Sequence, residues 1–387
     1  MTVRRRDADR DRGVSTVVDV ALALLLITAS VMIVGYALTE TSDGGAGDHT
    51  DQIVPNDDEF GDRSATQTTE VLAESTIAVT YSLEDVRDED EFSEPVITNA
   101  HTYTRTDHGS PLGLLADAAL TNHRIGGDPV LAYGQEYEEA VDWAIRHNLL
   151  GAERNFYVVA EWEPYDGAGI NGTATAGERP PADADISSTS TTVSSGFSAI
   201  DDDELEESWL DADDWWDETI SGFPGVDDSA DLPGLAGSDN KSYAAAGTVI
   251  GETIVEGLFP PEPSQYALED QGIERALKVY HYNSMVETIG DFSFRSADTH
   301  PPLVRSKARA EAANHNVLVG QDGGYDFTDA DGLAAWIAAD IPDAFEEEFA
   351  EIDENYDGEE RDERKVETVI AALANDDVTV TVQTWTE

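Results

Sequence analysis

The sequence predicts an α+β protein: one N-terminal transmembrane helix, then a mixed α+β extracytoplasmic domain. Three observations carry this. Val20–Leu38 is a run of nineteen residues without a formal charge, about 28 Å long as a helix and so matched to a hydrocarbon core of about 30 Å. Arg4, Arg5, Arg6, Arg10 and Arg12 precede that run and the chain turns acidic after Leu38. The excess of arginine places the N-terminus in the cytoplasm and everything after Leu38 outside, as a single-pass protein of the cell membrane. Beyond residue 70, stretches that alternate apolar and polar residues are interspersed with stretches of helical period, the mark of a mixed core.

Composition narrows what the outer part can meet. The 387 residues are 40% hydrophobic, enough for a sizeable core, and carry 81 Asp and Glu against 22 Lys and Arg, a formal charge of −59. Such a field argues against nucleic acid or anionic lipid as partner of the bulk domain. The acids are spread along the chain and only four of the bases are lysines. That pattern reads as adaptation to saturating salt, where self-repulsion is screened. With no cysteine in the chain, disulfides, thiol catalysis and thiolate metal sites are all excluded.

The N-terminal segment does not read as a cleaved secretory signal, whose apolar region is about 7–15 residues and is followed by an A-x-A-like site. Nor does Arg5-Arg6, followed by Asp7 and Ala8, make a good twin-arginine signal. The small and charged residues stand before the apolar run: Arg12-Gly13, then Val14-Ser15-Thr16, then Asp19. This order resembles the class III signal of haloarchaeal type IV pilin-like and pseudopilin-like proteins. The resemblance implies that a prepilin peptidase cuts after Gly13 on the cytoplasmic face and leaves Val14 as the mature N-terminus. It also implies pilus or secretion assembly proteins as partners, and self-assembly. In that family an acid near this point pairs with the free amine of a neighbouring subunit. Asp19 is the sixth residue after the cut, whereas the bacterial glutamate is the fifth. Alternatively, Asp19 caps the start of the helix, where its charge meets the helix dipole.

The expected organisation is a basic leader (1–13), the pilin-like transmembrane helix (14–38), a flexible acidic stalk (39–69) and the outer α+β domain (70–387). A disordered or loop-rich acidic insertion is expected at about 166–240. Ile77, Val79, Tyr81 and Leu83 alternate as in a half-buried strand. Ser110-Pro111 should cap and open a helix carrying Leu114, Leu115, Ala118 and Ala119 on one face, and Tyr137, Val141, Ala144 and Ile145 mark a second. "RNFYVVAEWEPY" returns to strand character, "DGAGINGTATAGERPPADAD" reads as a turn-rich loop, and "ISSTSTTVSSGFSAI" as one more strand. Trp209, Trp215 and Trp216 sit among acids and are expected to pack that run against its own domain. The last third reads as helices, in "KSYAAAGTVIGETIVEGLF", "SQYALEDQGIERALKVYHYNSMVETIG", "PPLVRSKARAEAANHNVLVG", "DADGLAAWIAADIPDAFEEEFAEID" and Arg364–Ala374. A closing strand with Val378, Val380 and Val382 should tie both ends of the domain into one sheet.

Little in the chain asks for chemistry. Asp353, Asn355, Asp357 and Gly358 imitate the start of a calcium loop, but Arg364 stands where the bidentate glutamate belongs; the stretch reads as an acidic turn between helices, and no metal site or cofactor is expected. His101 and His108 read as exposed loop residues. No G-x-S-x-G elbow, Walker pattern or Rossmann glycine pattern occurs. Asn171-Gly-Thr173 and Asn240-Lys-Ser242 are N-glycosylation sequons, expected in loops. The reading is therefore non-enzymatic: a minor or accessory subunit of an archaeal surface filament or secretion apparatus. The alternatives are an anchored adhesion or receptor domain and an anchored extracellular hydrolase.

Overall fold

In the computed structural model, which describes residues 57–89, 92, 103–147, 155–212, 240–269, 272–289 and 333–386, helices and antiparallel strands share one core. The first half runs α1 (Asp57–Glu74), β1 (Ile77–Ser82), a 3-10 turn at Glu84–Val86, β2 (Thr104–Gly109), α2 (Pro111–Thr121), β3 (Arg124–Ile125), β4 (Asp128–Pro129), α3 (Gly134–Ile145), β5 (Phe156–Trp162), β6 (Ile170–Gly177) and β7 (Asp185–Ser194). The second runs α4 (Asp202–Leu210), α5 (Asn240–Leu258), α6 (Pro261–Glu269), α7 (Ile273–Ile289), α8 (Leu333–Ala344), α9 (Glu346–Asn355), α10 (Glu359–Ala371) and β8 (Asp377–Thr386). All of these lie in one compact unit, Asn56–Glu387. The leader, the apolar run Val20–Leu38 and the first part of the stalk lie outside the described residues. Among the described residues no helix is long and apolar enough to cross a membrane.

Six strands form an antiparallel sheet in the order β4-β3-β6-β5-β8-β7. Val158, Ala160 and Trp162 of β5 face the same buried side as Val378, Val380 and Val382 of β8, with Val158 opposite Val382. The closing strand thus pairs with earlier ones, as its alternation predicts. The expectation that both ends of the domain join one sheet needs correction. β1 lies instead in a separate ribbon with β2, Ile77 opposite Gly109, and packs on α3. His108, expected in a loop, is an exposed residue of β2; His101 lies outside the described residues.

Two further expectations change. The last part of the stalk, from Asp57, belongs to α1, whose Ala65, Thr68 and Leu72 are buried against β7, β8 and α2. Two or three residues, all polar but Val71, separate each buried one from the next, and two of the three buried residues are themselves small or polar, so hydropathy alone reads the segment as solvated. The insertion at 166–240 holds β6, β7 and α4 up to residue 212; the rest lies outside the described residues, with Trp215 and Trp216. β6 escapes a hydropathy reading because its inward residues are Ile170, Gly172, Ala174 and Ala176. Their smallness has a physical cause. α2 lies so close that a Cβ on Gly172 would stand 2.1 Å from the carbonyl oxygen of Ala119.

The helical part repeats that logic. α5 meets α8 through Gly247 and Gly251, where a Cβ on Gly247 would stand 2.2 Å from the Ala334 carbonyl. Trp209 of α4 is buried against Tyr243 and Phe349, as expected for an aromatic that holds its own segment down. The long C-terminal helix expected over "DADGLAAWIAADIPDAFEEEFAEID" is two helices. Pro342 has no N–H to continue the ladder, and the chain turns at Phe345. Likewise "SQYALEDQGIERALKVYHYNSMVETIG" divides into α6 and α7. "PPLVRSKARAEAANHNVLVG" lies outside the described residues.

Candidate functional site

One cleft, of about 330 Å³, gathers ionisable and aromatic side chains from six segments of the chain. Its construction begins in the β1–β2 ribbon. Ile77, Val79 and Tyr81 alternate toward the core, and the register sets Asp107 opposite Val79 and Arg105 opposite Tyr81. Two charged residues therefore stand on the inward side of the ribbon, while Thr80 and Thr106 pair on the outer side at 3.0 Å. Inward charges need partners. Arg105 has Glu274 of α7, and Asp107 lies beside the phenols of Tyr81 and Tyr137, which its proximity helps to hold protonated.

Helices complete the walls. Ser110 caps α2 by accepting from the Gly113 N–H at 3.1 Å, which sets Asp117 at the exposed mouth of the cleft. Tyr133 ends the loop before α3 and Tyr137 follows one turn on, its ring 4.7 Å from that of Tyr81 in an edge-on contact. α7 closes the other side with His281. It is pinned there by Ser284, which donates to the Val130 carbonyl, and by Tyr280, whose phenolic oxygen accepts from the Ala132 N–H at 3.2 Å. Gly257 and Leu258 at the end of α5 complete the lining.

Burial governs the protonation states. It raises the phenols of Tyr133 and Tyr137 and, with the charge of Asp107, brings Tyr81 up to about 12. Asp117 is raised by desolvation and then by Asp107. His281 is pushed well below the ordinary imidazole range by burial, and further by His123 and Lys278. His123, 2% exposed, is brought down to about 4 by burial, against a hydrogen bond to the Leu120 carbonyl at 2.7 Å. Lys278 is brought down to about 8 by burial; its ammonium donates to the Leu258 carbonyl at 3.1 Å and lies over the Phe259 ring. Burial therefore keeps the phenols and the imidazole of the cleft neutral at neutral pH, beside the side chains of Asp107 and Asp117. The Nε2 atoms of His123 and His281 are buried without a hydrogen-bond partner, and the two rings stand 5.4 Å apart. The lining includes no serine, cysteine or lysine that could act as a nucleophile.

The described residues among the sites singled out from the sequence lie elsewhere. Arg12, Gly13, Val14 and Asp19 are outside the described residues. Asn171 stands in β6 and not in a loop. Its amide donates to the Ala168 carbonyl at 3.1 Å, and it lines a second cleft of about 500 Å³ at the edge of the sheet. The carboxylates of that cleft are already engaged. Glu138 accepts from the Thr175 N–H at 2.7 Å and from Asn122, and Asp142 accepts from the Gly177 N–H at 2.7 Å, so α3 caps the open edge of β6. Asn240 opens α5, again not a loop. Asp353 and Asn355 belong to α9 and Asp357 to the turn before α10. The Asp353 carboxylate is held by the buried Lys365 ammonium at 2.9 Å, and Arg364 pairs with Glu367 at 2.8 Å. Among the described residues no group of three or more His, Asp or Glu is placed to hold a metal ion.

Sequence reasoning missed the Tyr–Asp–His cleft. Its one local signal is the pattern of β2, "TRTDHG", which alternates charged and hydroxyl residues beside an apolar strand.

With this geometry in place, comparison with known proteins adds a family. The chain belongs to the DUF7284 family, a family of unknown function whose profile matches residues 18–385. No curated protein and no solved structure matches it.

Proposed function

We propose that this member of a family of unknown function is a non-enzymatic, pilin-like or pseudopilin-like surface subunit. It is held N-inside by the helix at 14–38 and carries its acidic domain outside the cell. The order of residues at the N-terminus carries the reading: Arg12-Gly13, then Val14-Ser15-Thr16, Asp19 and the uncharged run Val20–Leu38. Two features of the fold agree with it. The first helix of the outer domain, α1, packs on the antiparallel sheet, and a domain of this size suits a minor or accessory subunit better than a repeating shaft subunit.

The test is the N-terminus and intact mass of the protein from its native membrane. A start at Val14 supports the reading. Gly13→Leu should then block trimming while leaving insertion intact, and a mutant with the same mature mass as the wild type would overturn the proposal.

A second reading, an anchored hydrolase, draws on one observation, the two carboxylates Asp107 and Asp117 at a single cleft. A glycosidase needs such a pair. It predicts glycoside hydrolysis by the wild type that both Asp107→Asn and Asp117→Asn abolish.

A further inference from the structure

The cleft between the β1–β2 ribbon, α2, α3 and α7 has a composition that selects its ligand. Tyr81, Tyr133 and Tyr137 line it together with Asp107 and Asp117. We propose that this cleft binds an organic ammonium group, held over the phenol rings and neutralised by the two aspartates.

Charge decides the sign of the ligand. An anion would meet two carboxylates, for which the described residues provide no ion pair within the cleft. The two nearby cations are already engaged, Arg105 by Glu274 and Lys278 by the Leu258 carbonyl and the Phe259 ring. The four carboxylates and bases nearest the cleft, with Glu274, leave it net negative. The desolvation that raises Asp117 is what an incoming cation would offset.

Chemistry decides the class of cation. A metal ion needs a shell of oxygen or nitrogen ligands, and no such group exists among the described residues. Phenol rings offer instead a π-face for a cation with alkyl groups, which gains from leaving water and from the ring quadrupole. The buried Nε2 of His281, which has no partner, adds a polar atom on the α7 wall. A volume of about 330 Å³ admits a trimethylammonium group or the end of an alkylamine. Both sources share the alkylammonium chemistry. The proposal is independent of the assembly reading, because it uses only residues of the outer domain.

The experiment titrates the full chain in detergent at about 2 M KCl, where the Debye length is under about 3 Å and diffuse binding to the acidic surface is screened. The probes are choline, n-butylamine as a mimic of a lysine side chain, and 3,3-dimethylbutanol, the uncharged isostere of choline, each followed by calorimetry. At least one amine is expected to bind saturably, ten-fold or more tighter than the alcohol. Choline in preference to butylamine would indicate a small quaternary ligand; the reverse would indicate an amine on a protein chain.

Asp117→Asn at the exposed mouth should weaken binding five-fold or more. Tyr133→Phe should retain it and Tyr133→Leu should lose it, with unchanged circular dichroism, while Glu207→Gln on α4 should leave it unaltered. If Tyr133→Leu does not fold, Asp117→Asn decides. Absence of saturation by either amine below about 50 mM, equal binding of the alcohol, or indifference to Asp117→Asn would each overturn the proposal.

Discussion

Replacing His123 by asparagine should flatten the acid limb of the stability profile, by an amount that follows from its burial. The side chain is 2% exposed, and Nδ1 donates to the Leu120 carbonyl at 2.7 Å, so the neutral ring leaves Nε2 without a donor. The unfolded chain takes up a proton near 6.5, whereas the native fold does so near 4. For a base whose native value is depressed, the unfolded state binds more protons between those limits. Stability is therefore complete above about pH 6.5, falls as the pH drops through that value, and levels off below about pH 4. At about 1.4 kcal/mol per pH unit the loss is about 2 kcal/mol by pH 5 and about 3 kcal/mol in the limit. Asparagine keeps a donor for Leu120 and does not titrate.

Urea unfolding of both proteins in molar KCl at pH 7 and pH 5 measures the difference. Asp117, Glu163 and Asp340 have raised native values and pull the opposite way as the pH falls, but they do so in both proteins and cancel. Burial keeps His281 depressed in both, and the variant loses only the further push that His123 adds. The wild type should lose about 2 kcal/mol more than the variant over that interval. Equal losses would mean that the imidazole of His123 is solvated or partnered, and the reasoning would fail.

Three other outcomes are expected. Gly172→Ala forces a methyl group to within 2.1 Å of the Ala119 carbonyl oxygen, and neither backbone can yield locally; it should cost about 1–3 kcal/mol and lower Tm by several degrees in a thermal melt. Asp353→Ala removes the carboxylate from the buried ammonium of Lys365 and should destabilise by about 1–3 kcal/mol, while millimolar calcium should leave the wild-type Tm unchanged, since that carboxylate is already engaged. Moving the protein from molar KCl to about 50 mM lengthens the screening distance from about 3 Å to more than 10 Å, and Tm should fall as repulsion among the 81 acids is released. A Tm that rises on dilution would contradict the halophilic reading.

The contrast between α2 and β6 shows what a sequence of this kind makes legible. α2 was readable because everything that specifies it is local: Ser110 as cap, Pro111 in the first turn, and Leu114, Leu115, Ala118 and Ala119 on one face. β6 reads as a loop, because its inward Gly172, Ala174 and Ala176 are small for the sake of a helix fifty residues earlier. The first two thirds of α1 read as stalk for a related reason, since the buried Ala65 and Thr68 acquire meaning only from the strands β7 and β8 that cover them.

By itself, the sequence determined the class of the domain, its most regular helices and strands, its charge, the absence of thiol chemistry and the N-terminal pattern on which the proposed anchoring rests. Each of these is encoded in composition or within a few turns of chain. The tertiary structure alone decided that Tyr81, Asp107, Asp117, Tyr133, Tyr137 and His281 line one cleft. Sequence proximity does not encode the register of β1 on β2 or the docking of α7 on the Val130–Ala132 segment. Long-range packing sets both, and only there do separate carboxylates and phenols acquire a shared field.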